Sequence, residues 1–248
     1  MDADKIFFRK YIGKNPKEVK MEITKKQVAK MIDNSLLAPN ATEDEVAKFC
    51  EESVKYDFAA VYVLPAYLPL AVKILSGTDV KVGAPVGFPL GGNTIETKVF
   101  ETKDAIEKGA QEVDMVVNIG ALKSGNYDYL KKEIDSFVNA AKSLQKDVLT
   151  KVIIETGFLT DEEKVKIAKL IKETGADFIK TCTGFNPGRA TIHDIKLIRK
   201  AVGENMGIKA SGGAVSTIED AMALIEAGAT RIGTKAGIEI IKSMEIRG

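Results

Sequence analysis

The residues of this 248-residue sequence best suited to chemistry are lysines set inside short apolar runs. Lys180 lies in Asp177-Phe178-Ile179-Lys180-Thr181-Cys182-Thr183-Gly184, and Lys209 lies in Gly207-Ile208-Lys209-Ala210-Ser211-Gly212-Gly213. Burying an ammonium group is costly, so a core strand that carries one has a use for it. Two such lysines on successive strands would stand close together, and each cation would make the other easier to deprotonate. An uncharged lysine is a nucleophile and forms an imine with a carbonyl compound. A third lysine, Lys151, and an aspartate, Asp114 in Glu112-Val113-Asp114-Met115-Val116-Val117-Asn118, sit late in neighbouring runs, as do Asp33, Asn118, Glu155, Thr183 and Ser211. Taken alone, a strand lysine usually snorkels to solvent, and Asp114 alone would simply neutralise one. With three lysines and an acid together, catalysis is the stronger reading, because buried charges must be paired or functional.

The totals narrow the rest. With 36 Lys and Arg against 35 Asp and Glu, mixed along the chain, there is no basic field for nucleic acid, and the expected partner is a small molecule. No apolar stretch reaches the length of a membrane span and no signal peptide opens the sequence, so a cytoplasmic protein without membrane contact is expected. Two cysteines, Cys50 and Cys182, make no disulfide framework, and a single histidine, His193, makes no His-rich metal site. No metal and no cofactor are expected.

Positioning these side chains requires a regular frame. Short apolar runs near Asp33–Leu37, Phe58–Leu64, Val80–Gly87, Glu112–Asn118, Leu149–Glu155, Asp177–Cys182, Gly207–Ser211 and Thr230–Gly233 alternate with segments of helical period. Thr42-Glu43-Asp44-Glu45, Thr160-Asp161-Glu162-Glu163 and Ser216-Thr217-Ile218-Glu219-Asp220 have the form of helix-opening capping boxes. Gly109, Gly175 and Gly228 each close a helix just before a strand. The pattern predicts an α/β fold with one domain, a (β/α)8 TIM barrel over residues 31–248, preceded by a helical extension over residues 1–30. In that extension we expect helix from Asp4 to Tyr11, a break at Gly13 and Pro16, and a helix opened by Thr24 from Lys25 to Ile32, together forming a lid or plug over one end. Strand parity places Phe178 and Cys182 on the interior with Lys180. Gly212 and Gly213 before a helix opening at Ser216 and Thr217, Gly233 with Thr234 before the next helix, and Thr183-Gly184 offer backbone N–H groups for a phosphate.

Six motifs in register extend this reading. Asp33-Asn34-Ser35-Leu36-Leu37, Val86-Gly87-Phe88-Pro89-Leu90-Gly91, Glu112 to Asn118, Lys151-Val152-Ile153-Ile154-Glu155-Thr156, Phe178 to Phe185 and Lys209-Ala210-Ser211-Gly212-Gly213 strongly resemble the deoxyribose-phosphate aldolases, from about Met31 to Ile241. The resemblance implies a class I, metal-independent aldolase that reversibly cleaves 2-deoxy-D-ribose 5-phosphate into acetaldehyde and D-glyceraldehyde 3-phosphate. It implies Lys180 as the imine-forming lysine, Lys209 as the neighbouring cation and Asp114 as the proton-transfer carboxylate, acting directly or through a water. Lys151 and Asp33 would order that relay. Thr183, Gly184, Ser211, Gly212, Gly213, Gly233 and Lys235 would hold the substrate and its phosphate. A homo-oligomer, dimer or tetramer, is expected.

The chain also departs from the family pattern. Val215 stands where an arginine is usual, Lys235-Ala236 replaces a Ser-Ser pair, and Arg189 appears in a segment where small residues are common. Tyr62 and Leu64 replace a common cysteine and a polar residue, which would make the mouth of the site bulkier and more apolar, and Ala38 replaces a frequent lysine. Two alternatives follow: a lysine-dependent barrel aldolase with a different or non-phosphorylated acceptor, and a sugar-phosphate-binding barrel without catalysis.

Overall fold

The computed structural model describes residues 5–12, 17–213 and 215–245. Its strands and helices follow the expected alternation. Eight parallel strands, β3 (Ile32–Leu36), β4 (Ala60–Val63), β5 (Lys81–Val86), β6 (Glu112–Val116), β7 (Leu149–Ile153), β8 (Phe178–Lys180), β9 (Gly207–Ala210) and β10 (Arg231–Thr234), close into a barrel in chain order, β10 pairing with β3. Helices α2 (Glu43–Lys55), α3 (Leu68–Leu75), α4 (Ile95–Glu107), α5 (Ile119–Lys123), α6 (Tyr127–Leu144), α7 (Asp161–Glu173), α8 (Ile192–Val202), α9 (Ile218–Glu226) and α10 (Gly237–Glu245) complete the units. The boxes at Thr42, Thr160 and Thr217 form as their spacing predicts, each threonine accepting from the third helical N–H.

The two strand faces have opposite characters. Ile32, Val61, Val63, Val113, Val152, Ile179, Ile208 and Ile232 alternate with the inward polar residues and meet helix side chains such as Val46, Phe137, Ile167 and Ile198, all buried. Each such aliphatic contributes about 1.5–3 kcal/mol on burial, so this outer layer carries the fold while the lumen is free to be polar. Room inside comes from two glycines. A Cβ on Gly83 would lie 2.3 Å from Cζ of Tyr62, and one on Gly207 would lie 2.3 Å from Cδ1 of Phe178, so each glycine yields its place in the lumen to a neighbour's ring.

The N-terminal segment differs from expectation. Where helix was expected, β1 (Lys5–Ile12) and β2 (Lys17–Thr24) form an antiparallel hairpin. Val19, Met21 and Ile23 alternate with Glu18, Lys20 and Glu22, a two-residue period that outweighs the helix-favouring composition. The break at Gly13 and Pro16 lies outside the described residues. Helix α1 (Lys25–Ala29) does open at Thr24 with a capping box, but ends before Ile32. Val28 and Ala29 are buried, and the Ala29 carbonyl accepts from the Ala59 amide just before β4. α1 therefore covers the barrel end at which strands begin, not the end at which they finish.

Candidate active site

Seven of the eight barrel strands send an ionisable or phenolic side chain into one buried cluster. β3 contributes Asp33, β4 Tyr62, β6 Glu112 and Asp114, β7 Lys151, β8 Lys180, β9 Lys209 and β10 Arg231. Register explains the meeting, since Lys180 is paired directly with Lys209 and Asp114 with Lys151 across adjacent strands. Asp114 is the centre. Its Oδ2 accepts from Lys180 Nζ at 3.0 Å and from Lys209 Nζ at 2.8 Å, so the two amines share one oxygen. Its Oδ1 accepts from the Tyr62 hydroxyl at 2.6 Å and lies 3.4 Å from Lys151 Nζ. Lys209 also meets Asp33 Oδ2 at 2.6 Å, and Arg231 bridges Asp33 and Glu112, the latter at 3.1 Å. Lys151 donates to Glu112 and to the Tyr62 oxygen.

Charge bookkeeping decides what this cluster can do. Three carboxylates, Asp33, Glu112 and Asp114, face four cations, Lys151, Lys180, Lys209 and Arg231. The set is neutral only when one amine has given up its proton, and an uncompensated charge in a buried site is costly. The weak holder is Lys209: burial brings its pKa down to about 8, helped by Lys180 and Lys151 and opposed by Asp114 and Asp33. Burial works against ionised Asp114, yet Lys151, Lys209 and Lys180 together hold it well below the usual carboxylate range. Asp33 is likewise lowered, with Lys209, Arg231 and Lys151 overcoming its burial. Lys151 is raised because Asp114, Glu112 and Asp33 outweigh its desolvation. The arrangement is a pair of amines, one of which, Lys209, holds its proton weakly, joined by a carboxylate oxygen that accepts from both.

The structure brings Lys180, Lys209, Asp114, Lys151 and Asp33 together in one cluster. Three members were missed. Tyr62 was expected at the mouth, but it is fully buried and its hydroxyl belongs to the ionic cluster. Glu112 and Arg231 were passed over because each stands first in its strand, where a charged residue reads as a solvated strand end.

The loops expected to hold phosphate divide. Ser211, Gly233 and Lys209 lie together, a Cβ on Gly233 falling 2.7 Å from the Ser211 hydroxyl oxygen. Gly184 approaches Gly212 and Gly213 from the neighbouring loop, while Lys235 is exposed beyond β10. Thr183 is engaged elsewhere: its hydroxyl donates to Glu155 at 2.6 Å, and Glu155 also receives Asn186 Nδ2 at 2.9 Å. At the N-terminus of α9 the expected capping box is formed, and Asp220 accepts from the Ser216 and Thr217 amides just before the helix. Val215 is buried, and its carbonyl accepts from Thr234. The Arg189 Cα would lie 3.3 Å from a Cβ on Gly212, which puts that exposed arginine on the rim beside the glycine loop.

Eight parallel strands closed around a charged lumen define an α/β barrel enzyme of the TIM type. The chain belongs to the DeoC/LacD family of aldolases, whose family model matches residues 27–243. It is 60% identical over 215 residues to a protein of Thermoanaerobacter sp. named deoxyribose-phosphate aldolase, covering 87% of this chain and 96% of that one. A protein of the same name from Caldanaerobacter subterraneus subsp. tengcongensis is 56% identical over 230 residues, covering 93% and 99%. Among solved structures, the tetrameric deoxyribose phosphate aldolase of Aeropyrum pernix superposes with a TM-score of 0.83 at 29% identity, covering 91% of this chain and 94% of that one.

Proposed function

We propose that this chain cleaves 2-deoxy-D-ribose 5-phosphate reversibly to acetaldehyde and D-glyceraldehyde 3-phosphate through an imine on Lys180. The observation that carries the reading is the single Asp114 oxygen shared by Lys180 and Lys209. Lys209 gives up its proton with a pKa of about 8, and the Asp114 oxygen it shares with Lys180 is the route by which Lys180 hands its own proton on. The free Lys180 amine adds to the C1 aldehyde of the open-chain sugar, and loss of water leaves a protonated imine. The C2–C3 bond then breaks, its electrons flowing into the imine to give an enamine. The C3 hydroxyl gives its proton to Asp114, directly or through a water, and becomes the aldehyde of the departing product. Asp114 returns a proton to C2 of the enamine, directly or through a water, and hydrolysis frees acetaldehyde and the amine. Lys151, fixed by Glu112 and Tyr62, and Asp33, fixed by Arg231, hold the charge around this relay.

For the phosphate, the amides of Gly212 and Gly213, the turn after Gly233, Lys235 and Arg189 are the groups available. The buried Val215 and the self-capped α9 favour a second reading, in which phosphate contributes little and the acceptor is an unphosphorylated aldehyde. Turnover of 2-deoxyribose with and without its 5-phosphate separates the two. Among the described residues no helix is long and apolar enough to cross a membrane. With relatives that are bacterial aldolases and a tetrameric structural neighbour, we place the protein in the cytoplasm as a homo-oligomer.

The experiment is reduction of the imine. Incubation with acetaldehyde and borohydride should add a two-carbon unit to Lys180, read by peptide mass spectrometry. An unlabelled Lys180 peptide with label elsewhere removes the assignment.

A further inference from the structure

We propose that the Tyr62 hydroxyl is a positioning group for proton transfer: it fixes the Asp114 carboxylate so that Oδ2 alone serves the two amines, and it sets the pH at which they become reactive. The inference rests on the aldolase reading of the same lumen and concerns a residue outside the relay assigned above.

The geometry gives the phenol one donor hydrogen and several claimants. Its oxygen lies 2.6 Å from Asp114 Oδ1 and 3.1 Å from Glu112 Oε2, and it accepts from Lys151 Nζ. Burial, then Asp114, Glu112 and Asp33, push the phenol well above its ordinary pKa, so it remains a donor throughout the working range. A phenolate is thereby excluded, and Oδ1 is occupied by a permanent hydrogen bond. The other carboxylate oxygen, Oδ2, is the one left to Lys180 and Lys209. The ring is held from two sides: it fills the place of an absent side chain at Gly83, and Lys209 Nζ stands 3.8 Å from its centroid. The tyrosine is therefore built into the lumen rather than resting at its edge.

Its effect on proton affinity has a definite sign. A donor to an ionised carboxylate spreads that charge and reduces its pull on neighbouring ammonium groups. The other charged groups facing Asp114 and the amines are Asp33 from β3, Glu112 from β6, Lys151 from β7 and Arg231 from β10, and substitution at Tyr62 alters none of them chemically. Lys151 stays anchored on Glu112. Removing the hydroxyl leaves Asp114 more basic, so Lys209 keeps its proton to higher pH.

The test measures kcat/KM and borohydride trapping of acetaldehyde on Lys180 across pH 5.5–10 in the full chain. For Tyr62→Phe, which keeps the ring against Gly83, the acid limb of both profiles should move up by about one unit. The rate near pH 7 should fall on the order of tenfold and largely recover in alkali. Incorporation of 3-fluorotyrosine at position 62 gives a stronger donor of nearly the same size, and should move the limb downwards; this variant keeps the test decisive if Tyr62→Phe folds poorly. Profiles that superimpose on the parent's in the folded variants overturn the role of Tyr62 while leaving the imine chemistry standing. Absence of trapping in the parent overturns the aldolase reading and this inference with it.

Discussion

Lys209 has two carboxylates within bonding distance and still holds its proton weakly, with a pKa of about 8. Opposite charges nearby normally raise an ammonium's pKa, so the direction shows that desolvation, with Lys180 and Lys151 assisting, wins at this position. Replacing Lys209 by leucine removes a cation from beside Lys180 and the low-pKa site from the pair. Turnover at neutral pH should drop by a factor on the order of a hundred, with partial recovery in alkali, and an unchanged pH–rate profile would count against coupling between the amines. The lysines were legible in the sequence because a charge inside an apolar run contradicts its surroundings. Tyr62 was not, because a strand tyrosine satisfies the apolar pattern and nothing in its type shows where its hydroxyl goes. Arg231 stands first in its strand, a place where a charged residue ordinarily reads as a solvated strand end.

The loops show a second division of labour. Glu155, at φ 52°, occupies the left-handed region that a non-glycine residue seldom adopts, and its buried carboxylate gathers the Thr183 amide and hydroxyl and the Asn186 amide. Asn186 in turn donates to the Pro89 carbonyl, and Phe185 packs edge-on against Phe88, whose ring lies 5.9 Å from Lys180 Nζ. The loop after β8 is thus held to the neighbouring loop by the Glu155 carboxylate and to the loop after β5 by Asn186 and Phe185. Glu155→Gln keeps the size but turns a four-acceptor group into one carrying donors toward donors. It should cost about 2 kcal/mol, seen as a lower Tm, and raise KM more than it lowers kcat. A KM equal to the parent's would show that the loop does not shape substrate access. A related split tests the rim: Arg189→Ala should raise KM for the 5-phosphate and leave that for 2-deoxyribose unchanged. The strand and helix units were readable from periodicity and caps, since those depend on neighbours in sequence. The α9 terminus was readable as a capping box, but the sequence does not show that the Asp220 carboxylate takes up the Ser216 and Thr217 amides beside the glycine loop.

For the whole molecule, acid is the expected weakness. Asp33 and Asp114 have pKa values below the 3.8 of an unfolded aspartate, so the unfolded chain binds more protons in that window. Their contribution is complete above that value and is lost as pH falls through the folded values. Lys209 acts in the other direction, its penalty easing as pH rises from about 8 toward 10.5. Tm should therefore fall steeply only below about pH 4, and a flat Tm from pH 7 to 3 would mean the cluster is not ionised as described. The hairpin β1–β2 precedes α1 and contributes no residue to the cluster described above, so a chain beginning near Met21 should keep the parent's kcat; a large loss would place the hairpin in the working enzyme.

The order of charges along the chain has one more consequence. Every carboxylate of the cluster comes from β3 to β6 and every cation from β7 to β10. Cut between α6 and β7, the molecule becomes two halves of opposite sign, neither able to bury its own inner face without the other. Such fragments should stay open alone and find one another when mixed, the lumen acting as a plug and socket that admits only the complementary half.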